Sequence, residues 1–188
     1  MITSGNEWYT PPIYTQAARR VMGAIDLDPA SCAKANEFVQ ATRYYTKEDN
    51  GLTLPWRGRI YLNPPFGRTV MGRGSNLKHF CNKLESEYQV GNIEQAVLLV
   101  PANTATSWFV PLWNRQIFFP FKRIRFLESD GSPSYGQSFS TCFVYYGQAG
   151  EQFATIFGQF GHIVSPSTRV NYPGVLELWQ SQMYEVIA

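Results

Sequence analysis

Apolar and polar positions along the chain fall into short blocks whose period changes from block to block. From Ile13 to Met22 the apolar residues recur at helical spacing, after Pro11-Pro12 and before Gly23. That predicts a helix with proline at its start and glycine at its stop, with Thr10 placed to cap it. Between Ala24 and Ser31 the period becomes two: Ile25 and Leu27 alternate with Asp26 and Asp28, a strand carrying both carboxylates on one face. A helix then opens near Ser31 and runs through Ala35 and Asn36. Tyr44-Tyr45 is a short β-prone patch followed by a turn over Lys47–Gly51. A short strand ends at Asn63, a helix covers Asn76–Tyr88, and Glu94–Pro101 is the clearest strand. Its continuous Ala96–Val100 run is what parallel strands buried on both faces show. Thr106 or Ser107 caps a helix bearing Trp108, Phe109 and Leu112, and Gln116–Phe119 is another strand. Arg123–Leu127 alternates with both arginines on one face. Ser129–Ser138 is a Gly/Ser/Pro loop, Thr141–Tyr146 a strand, and Phe153–Val164 a last strand or hairpin before an amphipathic helix over Pro173–Val186. The expected architecture is α/β, a single domain over residues 1–188 with a mostly parallel sheet and helices on both faces.

The organising stretch is Arg59-Ile60-Tyr61-Leu62-Asn63-Pro64-Pro65-Phe66-Gly67. Proline lacks an N–H and has a fixed φ, so Pro64 and Pro65 end the strand and hold the next residues in one shape. Asn63 therefore falls at the carboxyl end of a strand, where open α/β sheets bind ligands. Such a corner suits the handling of an exocyclic amino group on a planar ring. An aromatic amine is a poor nucleophile because its lone pair is delocalised into the ring. Acceptors on its two N–H bonds pull the nitrogen towards tetrahedral geometry. The Asn63 side-chain carbonyl and the Pro64 main-chain carbonyl can supply them, and Phe66 can stack on the ring. The bland alternative is a turn after a buried strand. Upstream, Thr10 and the amides of the first helix N-terminus suit a carboxylate such as that of a methionine moiety. Asp26 and Asp28 suit ribose hydroxyls or an ammonium group, although no Gly-x-Gly fingerprint follows that strand.

Composition narrows the partners. Of 188 residues, 44% are hydrophobic and 15% aromatic, which marks a folded chain rather than a disordered one. The net charge of +2 gives no strong overall field, so a nucleic-acid partner needs a local basic patch. Candidates are Arg68, Arg73 and Lys78, in a glycine-punctuated stretch beside the proposed pocket, and the arginine pair Arg123 and Arg125, which meets either phosphate or solvent. The three cysteines lie far apart with no Cys-x-x-Cys pair, against both a disulfide framework and a zinc site and in favour of a reducing cytoplasm. Cys32 reads as packing, Trp56 as core or pocket wall, and His79 as a surface residue. The stretch before Trp8 does not read as a secretory signal, and no apolar run approaches the ~20 residues that cross a bilayer.

Together these stretches resemble the class I S-adenosylmethionine-dependent methyltransferases that modify amino groups in DNA, and most closely the phage-type DNA N6-adenine methyltransferase family. Asn63-Pro64-Pro65-Phe66 is similar to that family's catalytic Asn/Asp-Pro-Pro-aromatic motif, with Phe66 where Tyr is more usual. Trp8-Tyr9-Thr10-Pro11 resembles its amino-terminal Thr-Pro element, and Asp26-Leu27-Asp28-Pro29-Ala30-Ser31 stands where its first-strand cofactor motif belongs. Asn50-Gly51-Leu52, Trp56, Val100-Pro101-Ala102 and Trp108-Phe109 also follow the family's order, so the likeness spans roughly residues 7–145. It implies a Rossmann-like methyltransferase domain with S-adenosylmethionine as cofactor, DNA as partner and no metal. Asn63, Pro64, Pro65 and Phe66 would be catalytic. Trp8, Tyr9, Thr10, Pro11, Asp26, Asp28, Pro29 and Ala30 would bind cofactor. Two features depart from the pattern: the usual glycine-rich cofactor loop is absent, and the span from Pro29 to Asn63 has no room for a recognition domain. Target choice then falls to the stretch after Gly67, the loop at 129–138, or residues 146–188, which either complete the sheet or aid DNA recognition. Other readings are methylation of cytosine N4, an RNA adenine or a protein glutamine, or a non-catalytic DNA-binding accessory protein.

Overall fold

The computed structural model describes residues 8–66, 75–134 and 139–166. Arg68, Arg73, the end of the Gly/Ser/Pro loop and the helix expected over Pro173–Val186 lie outside the described residues.

Helix α1 (Pro12–Met22) carries proline in its first turn and stops at Gly23, whose φ of 80° is a left-handed conformation that glycine adopts without steric cost. Pro11 is its N-cap residue and no side chain caps it, so the expected Thr10 cap is not formed. Thr10 instead faces the sheet, where its Oγ1 accepts a hydrogen bond from the Tyr61 hydroxyl. Strand β1 (Leu27–Asp28) is far shorter than the alternation over Ala24–Ser31 suggested. Helix α2 (Ala33–Val39) follows, with Cys32 as the N-cap whose Sγ accepts from the Ala35 amide. Then come β2 (Arg43–Tyr44), β3 (Gly58–Leu62), α3 (Asn76–Gln89), β4 (Ile93–Pro101), β5 (Gln116–Pro120), β6 (Thr141–Tyr146), α4 (Gly150–Phe157) and β7 (Gly161–Val164).

The strands form one seven-stranded sheet in the order β2-β1-β3-β4-β6-β5-β7. The pairings from β2 through β4 are parallel, but β6 runs antiparallel to both β4 and β5, and β7 antiparallel to β5. The sheet is therefore mixed, which corrects the expectation of a mostly parallel one. Strand direction had no signal in the sequence: every residue of β6 is buried, as in a parallel strand, because β6 is covered on both faces.

Alternate residues of the central strands feed two cores. Ile60, Leu62, Ala96, Leu98, Val100, Cys142, Val144 and Tyr146 pack with Leu77, Phe80 and Leu84 of α3 on one face. Tyr61, Val97, Leu99, Phe143 and Tyr145 pack with Ala17, Ala18 and Val21 of α1 and Phe153, Ile156 and Phe157 of α4 on the other. This double cover explains the unbroken apolar run of β4. Trp56 is fully buried in the first core, and its Nε1 donates to the Gly51 carbonyl at 2.8 Å.

Two more expectations are corrected and one is borne out. The strand or hairpin over Phe153–Val164 is α4 followed by β7, because Phe153, Ile156 and Phe157 share one helical face. The helix expected after Thr106 is only a 3-10 turn over Val110–Asn114, and the Thr106 hydroxyl donates back to the Asn103 carbonyl instead of capping it. Residues 123–127 keep their alternation in burial, with Ile124 and Phe126 inside and Arg123 and Arg125 outside, yet only Leu127 forms a bridge, to Tyr9 and Pro133. No helix among the described residues is long and apolar enough to cross a membrane.

From β1 the chain passes through α2 to β2 on one side, then returns to β3 on the other. That reversal opens a crevice beyond the carboxyl ends of β1 and β3, the position at which doubly wound sheets bind ligands.

Candidate active site

The crevice holds a cavity of about 600 Å³, within the ~300–1,000 Å³ of ordinary ligand sites. Three stretches that are distant in sequence line it. They are Trp8-Tyr9-Thr10 before α1, Asp28 to Cys32 after β1, and Asn63 to Phe66 after β3. The turn over Asn50-Gly51-Leu52 closes one wall, and Gly51 lies so close to the Pro29 carbonyl that a Cβ there would overlap it.

Asp28 is the buried acid of the lining, 2% exposed, and Lys47 lines the same cavity. Its Oδ1 accepts from the Ala30 amide at 3.2 Å, and it forms no ion pair among the described residues. Burial pushes its carboxyl up to about 7, against the opposing pull of the Ala30 amide and the Ser31 hydroxyl. Asp26 has a different fate. The Arg59 side chain binds both of its carboxylate oxygens at 2.7 and 2.8 Å, and the Arg59 amide donates to it at 2.8 Å. Hydrogen bonding to Arg59 holds the Asp26 carboxyl below its usual range. Asp26 lies outside the cavity lining, one repeat nearer the amino end of the sheet than Asp28.

Asn63 is half-buried, and its Nδ2 points at two acceptors, the Trp8 carbonyl at 3.5 Å and Thr10 Oγ1 at 3.4 Å. Among the described residues neither its Oδ1 nor the Pro64 carbonyl accepts a hydrogen bond. Tyr61 occupies the same strand face as Asn63, two residues earlier. It is fully buried and donates to Thr10 Oγ1 at 2.9 Å. Burial raises the Tyr61 hydroxyl, so it remains a protonated donor.

Aromatic rings flank this corner. Phe66 meets Phe139 edge-on with centroids 5.6 Å apart, and Trp8 packs at a tilt on Phe139 at 5.8 Å and on Phe126 at 6.3 Å. The Trp8 Nε1 is buried without a hydrogen-bond partner among the described residues.

Residues 2–154 match the family described as DNA N-6-adenine-methyltransferase (Dam). The chain belongs to the Dam family. No curated protein and no solved structure matches it. Dam membership gives the general activity, methylation of adenine N6 in DNA, and with it DNA as the substrate. Every described residue expected in the Dam-like site lies within the matched span.

The structure gathers most of those residues. Trp8, Tyr9, Thr10, Asp28, Pro29, Ala30, Asn63, Pro64, Pro65 and Phe66 all line the one cavity. Pro11 and Asp26 do not, Pro11 being the N-cap residue of α1. Arg123 and Arg125 are exposed on the segment leaving the carboxyl end of β5, and Phe126 next to them reaches the cavity wall. Lys78 is exposed in the first turn of α3, two residues after Asn76, another wall residue. Sequence reasoning missed Tyr61, Phe126 and Phe139. Tyr61 was findable, since residues i and i+2 of a strand share a face. Phe126 falls on the apolar side of the Arg123–Leu127 alternation, which marks it as buried but not as part of the site, and Phe139 carries no local signal. Cys32 was read as packing, yet it caps α2 and lines the cavity; its place just before a helix start was the clue. Among the described residues no group of three or more His, Cys, Asp or Glu side chains is placed to hold a metal.

Proposed function

We propose that this chain methylates the N6 amine of an adenine swung out of the DNA stack, with S-adenosylmethionine as the methyl donor. The observation that carries the reading is a pair of acceptors, Asn63 Oδ1 and the Pro64 carbonyl, both free among the described residues. They line a cavity that also holds the buried Asp28 carboxyl, which forms no ion pair among the described residues. Two acceptors on the two N–H bonds of the amine localise its lone pair, and both are in place before substrate arrives. Phe66 stacks on the purine face, and Phe139 backs Phe66 edge-on.

The cavity fits the cofactor. Its volume suits a nucleoside-sized ligand, and Asp28 is a buried carboxyl with no ion-pair partner among the described residues. Asp28 and the backbone of Pro29 and Ala30 would hold the cofactor on the β1 side, with Asn50 to Leu52 as the opposite wall. When bound, S-adenosylmethionine supplies the methyl group from its sulfonium: a C–N bond forms as a C–S bond breaks, and N6 releases one proton. No residue of this chain becomes covalently modified. Its contribution is position and pre-aligned acceptors.

Arg123 and Arg125, exposed on the segment that brings Phe126 to the cavity wall, with Lys78 on α3, supply charge for the DNA backbone. Phosphate contacts fix where the duplex lies and carry no sequence information. The test is methyl transfer from labelled S-adenosylmethionine to unmethylated DNA, with the product nucleosides resolved by mass spectrometry. N6-methyladenine from the wild type, none from Asn63→Ala, and unchanged cofactor affinity in that variant is the expected result. Methylated cytosine would reassign the base. Equal loss of turnover and cofactor affinity in Asn63→Ala would remove Asn63 from its role as acceptor for the amine.

A further inference from the structure

Asn63 can offer an acceptor to an amine only if the two ends of its amide are told apart, since one end accepts and the other donates. Two oxygens surround the nitrogen end, the Trp8 carbonyl at 3.5 Å and Thr10 Oγ1 at 3.4 Å. Both contacts are long and each is weak by itself. Their joint effect is on orientation: the Trp8 carbonyl only accepts and so tells the two ends apart, and Thr10 Oγ1 holds the amide against it. Turning the amide over would set Oδ1 against the Trp8 carbonyl, two acceptors with no proton between them. Thr10 in turn is held from behind. It is 5% exposed, and its Oγ1 accepts a hydrogen bond from the Tyr61 hydroxyl at 2.9 Å, on the strand face that Asn63 shares. The stretch bearing Trp8 and Thr10 is clamped by paired Tyr9–Leu127 backbone hydrogen bonds, each 2.9 Å.

We infer that Thr10, fixed by Tyr61, is a positioning residue: together with the Trp8 carbonyl it sets the Asn63 amide so that Oδ1 faces the substrate amine. Thr10 acts through Asn63 and not as a cofactor contact. The inference rests on the methyl-transfer reading above. It also predicts an asymmetry, because a carboxylate at position 63 has two equivalent oxygens and needs no orientation.

The test makes Thr10→Val and Tyr61→Phe, each with Asn63 and each in an Asn63→Asp background. Three quantities are measured: kcat on adenine-containing DNA, calorimetric binding of S-adenosylmethionine, and the Asn63 side-chain amide NMR signal in the free protein. With Asn63 present, kcat should fall about fivefold, which is about 1 kcal/mol at ~1.4 kcal/mol per tenfold. Cofactor affinity should hold and the amide signal should move. In the Asn63→Asp background the same substitutions should change kcat by less than about twofold, which is the coupling a double-mutant cycle reads. Loss of cofactor affinity with kcat unchanged, or equal losses of kcat in both backgrounds, overturns the inference. If Asn63→Asp is inactive, the Asn63 background decides alone, and an unchanged kcat with an unmoved amide signal overturns it. A wild type that methylates no DNA defeats the functional reading separately. The inference then stands or falls on whether Thr10→Val moves the amide signal.

Discussion

Asp28→Asn should make the free protein more stable at alkaline pH while weakening its hold on cofactor. Burial raises the Asp28 carboxyl from 3.8 to about 7. An acid whose folded value is raised keeps its proton in the native state while the unfolded chain ionises. Stability therefore falls as pH rises from about 4 to about 7, and stays low above that, with no contribution from this group below pH ~4. A shift of about three units at 1.36 kcal/mol each puts the full loss at roughly 4 kcal/mol. Asparagine keeps the shape and has no proton to lose. Wild type and Asp28→Asn should thus unfold alike near pH 4, and diverge by up to roughly 4 kcal/mol in favour of the variant by pH 8. Urea unfolding across that range reads the difference directly, and all other titrating groups cancel between the two proteins. The same variant should bind S-adenosylmethionine about tenfold or more weakly at pH 8, as loss of a charge-assisted hydrogen bond implies. Binding by the wild type below pH 7 should release a proton, detectable as a dependence of the calorimetric heat on buffer. Asp26→Asn is the contrast. Its carboxylate serves Arg59 outside the cavity, so that change should cost stability above the acid range and leave cofactor affinity alone. A constant stability difference between wild type and Asp28→Asn from pH 4 to 8 would refute the assignment of a raised carboxyl.

The same geometry carries three further outcomes. Iodoacetamide should label only Cys32 in the native protein, since Cys81 and Cys142 are buried and burial raises both thiols, and saturating cofactor should slow that labelling; modification of Cys81 at a comparable rate would contradict the packing. Gly51→Ala sets a methyl group against the Pro29 carbonyl, so it should cost about 1–3 kcal/mol in denaturant unfolding and weaken cofactor binding; an unaffected variant would mean that the turn is not packed on the β1 exit. The double reversal Arg123→Glu with Arg125→Glu should weaken DNA binding uniformly across sequences and flatten its salt dependence at unchanged cofactor affinity; an unaltered salt slope would place the duplex elsewhere.

Much of this molecule is local in origin and was legible in the sequence. The stops at Gly23 and Pro64-Pro65, the buried run of β4, and the helices α1 and α3 follow from backbone restrictions and periodicity, which act within a few residues. So does the Asn63-Pro64-Pro65-Phe66 corner, because two prolines restrict the chain wherever they occur. The direction of β6 and its place between β4 and β5 had no such signature, since a strand covered on both faces is apolar whichever way it runs. Asp26 and Asp28 looked equivalent two residues apart, and only the packing of β3 against β1 brings Arg59 to one and leaves the other buried with no ion pair among the described residues. Thr10 carried the residue type of a helix cap, but a fully buried tyrosine hydroxyl across the sheet edge competes for it. Features set by the bond geometry of neighbouring residues were determined by the sequence alone. Which partner each polar group meets depends on chain segments dozens of residues apart, and that was decided only when the sheet assembled.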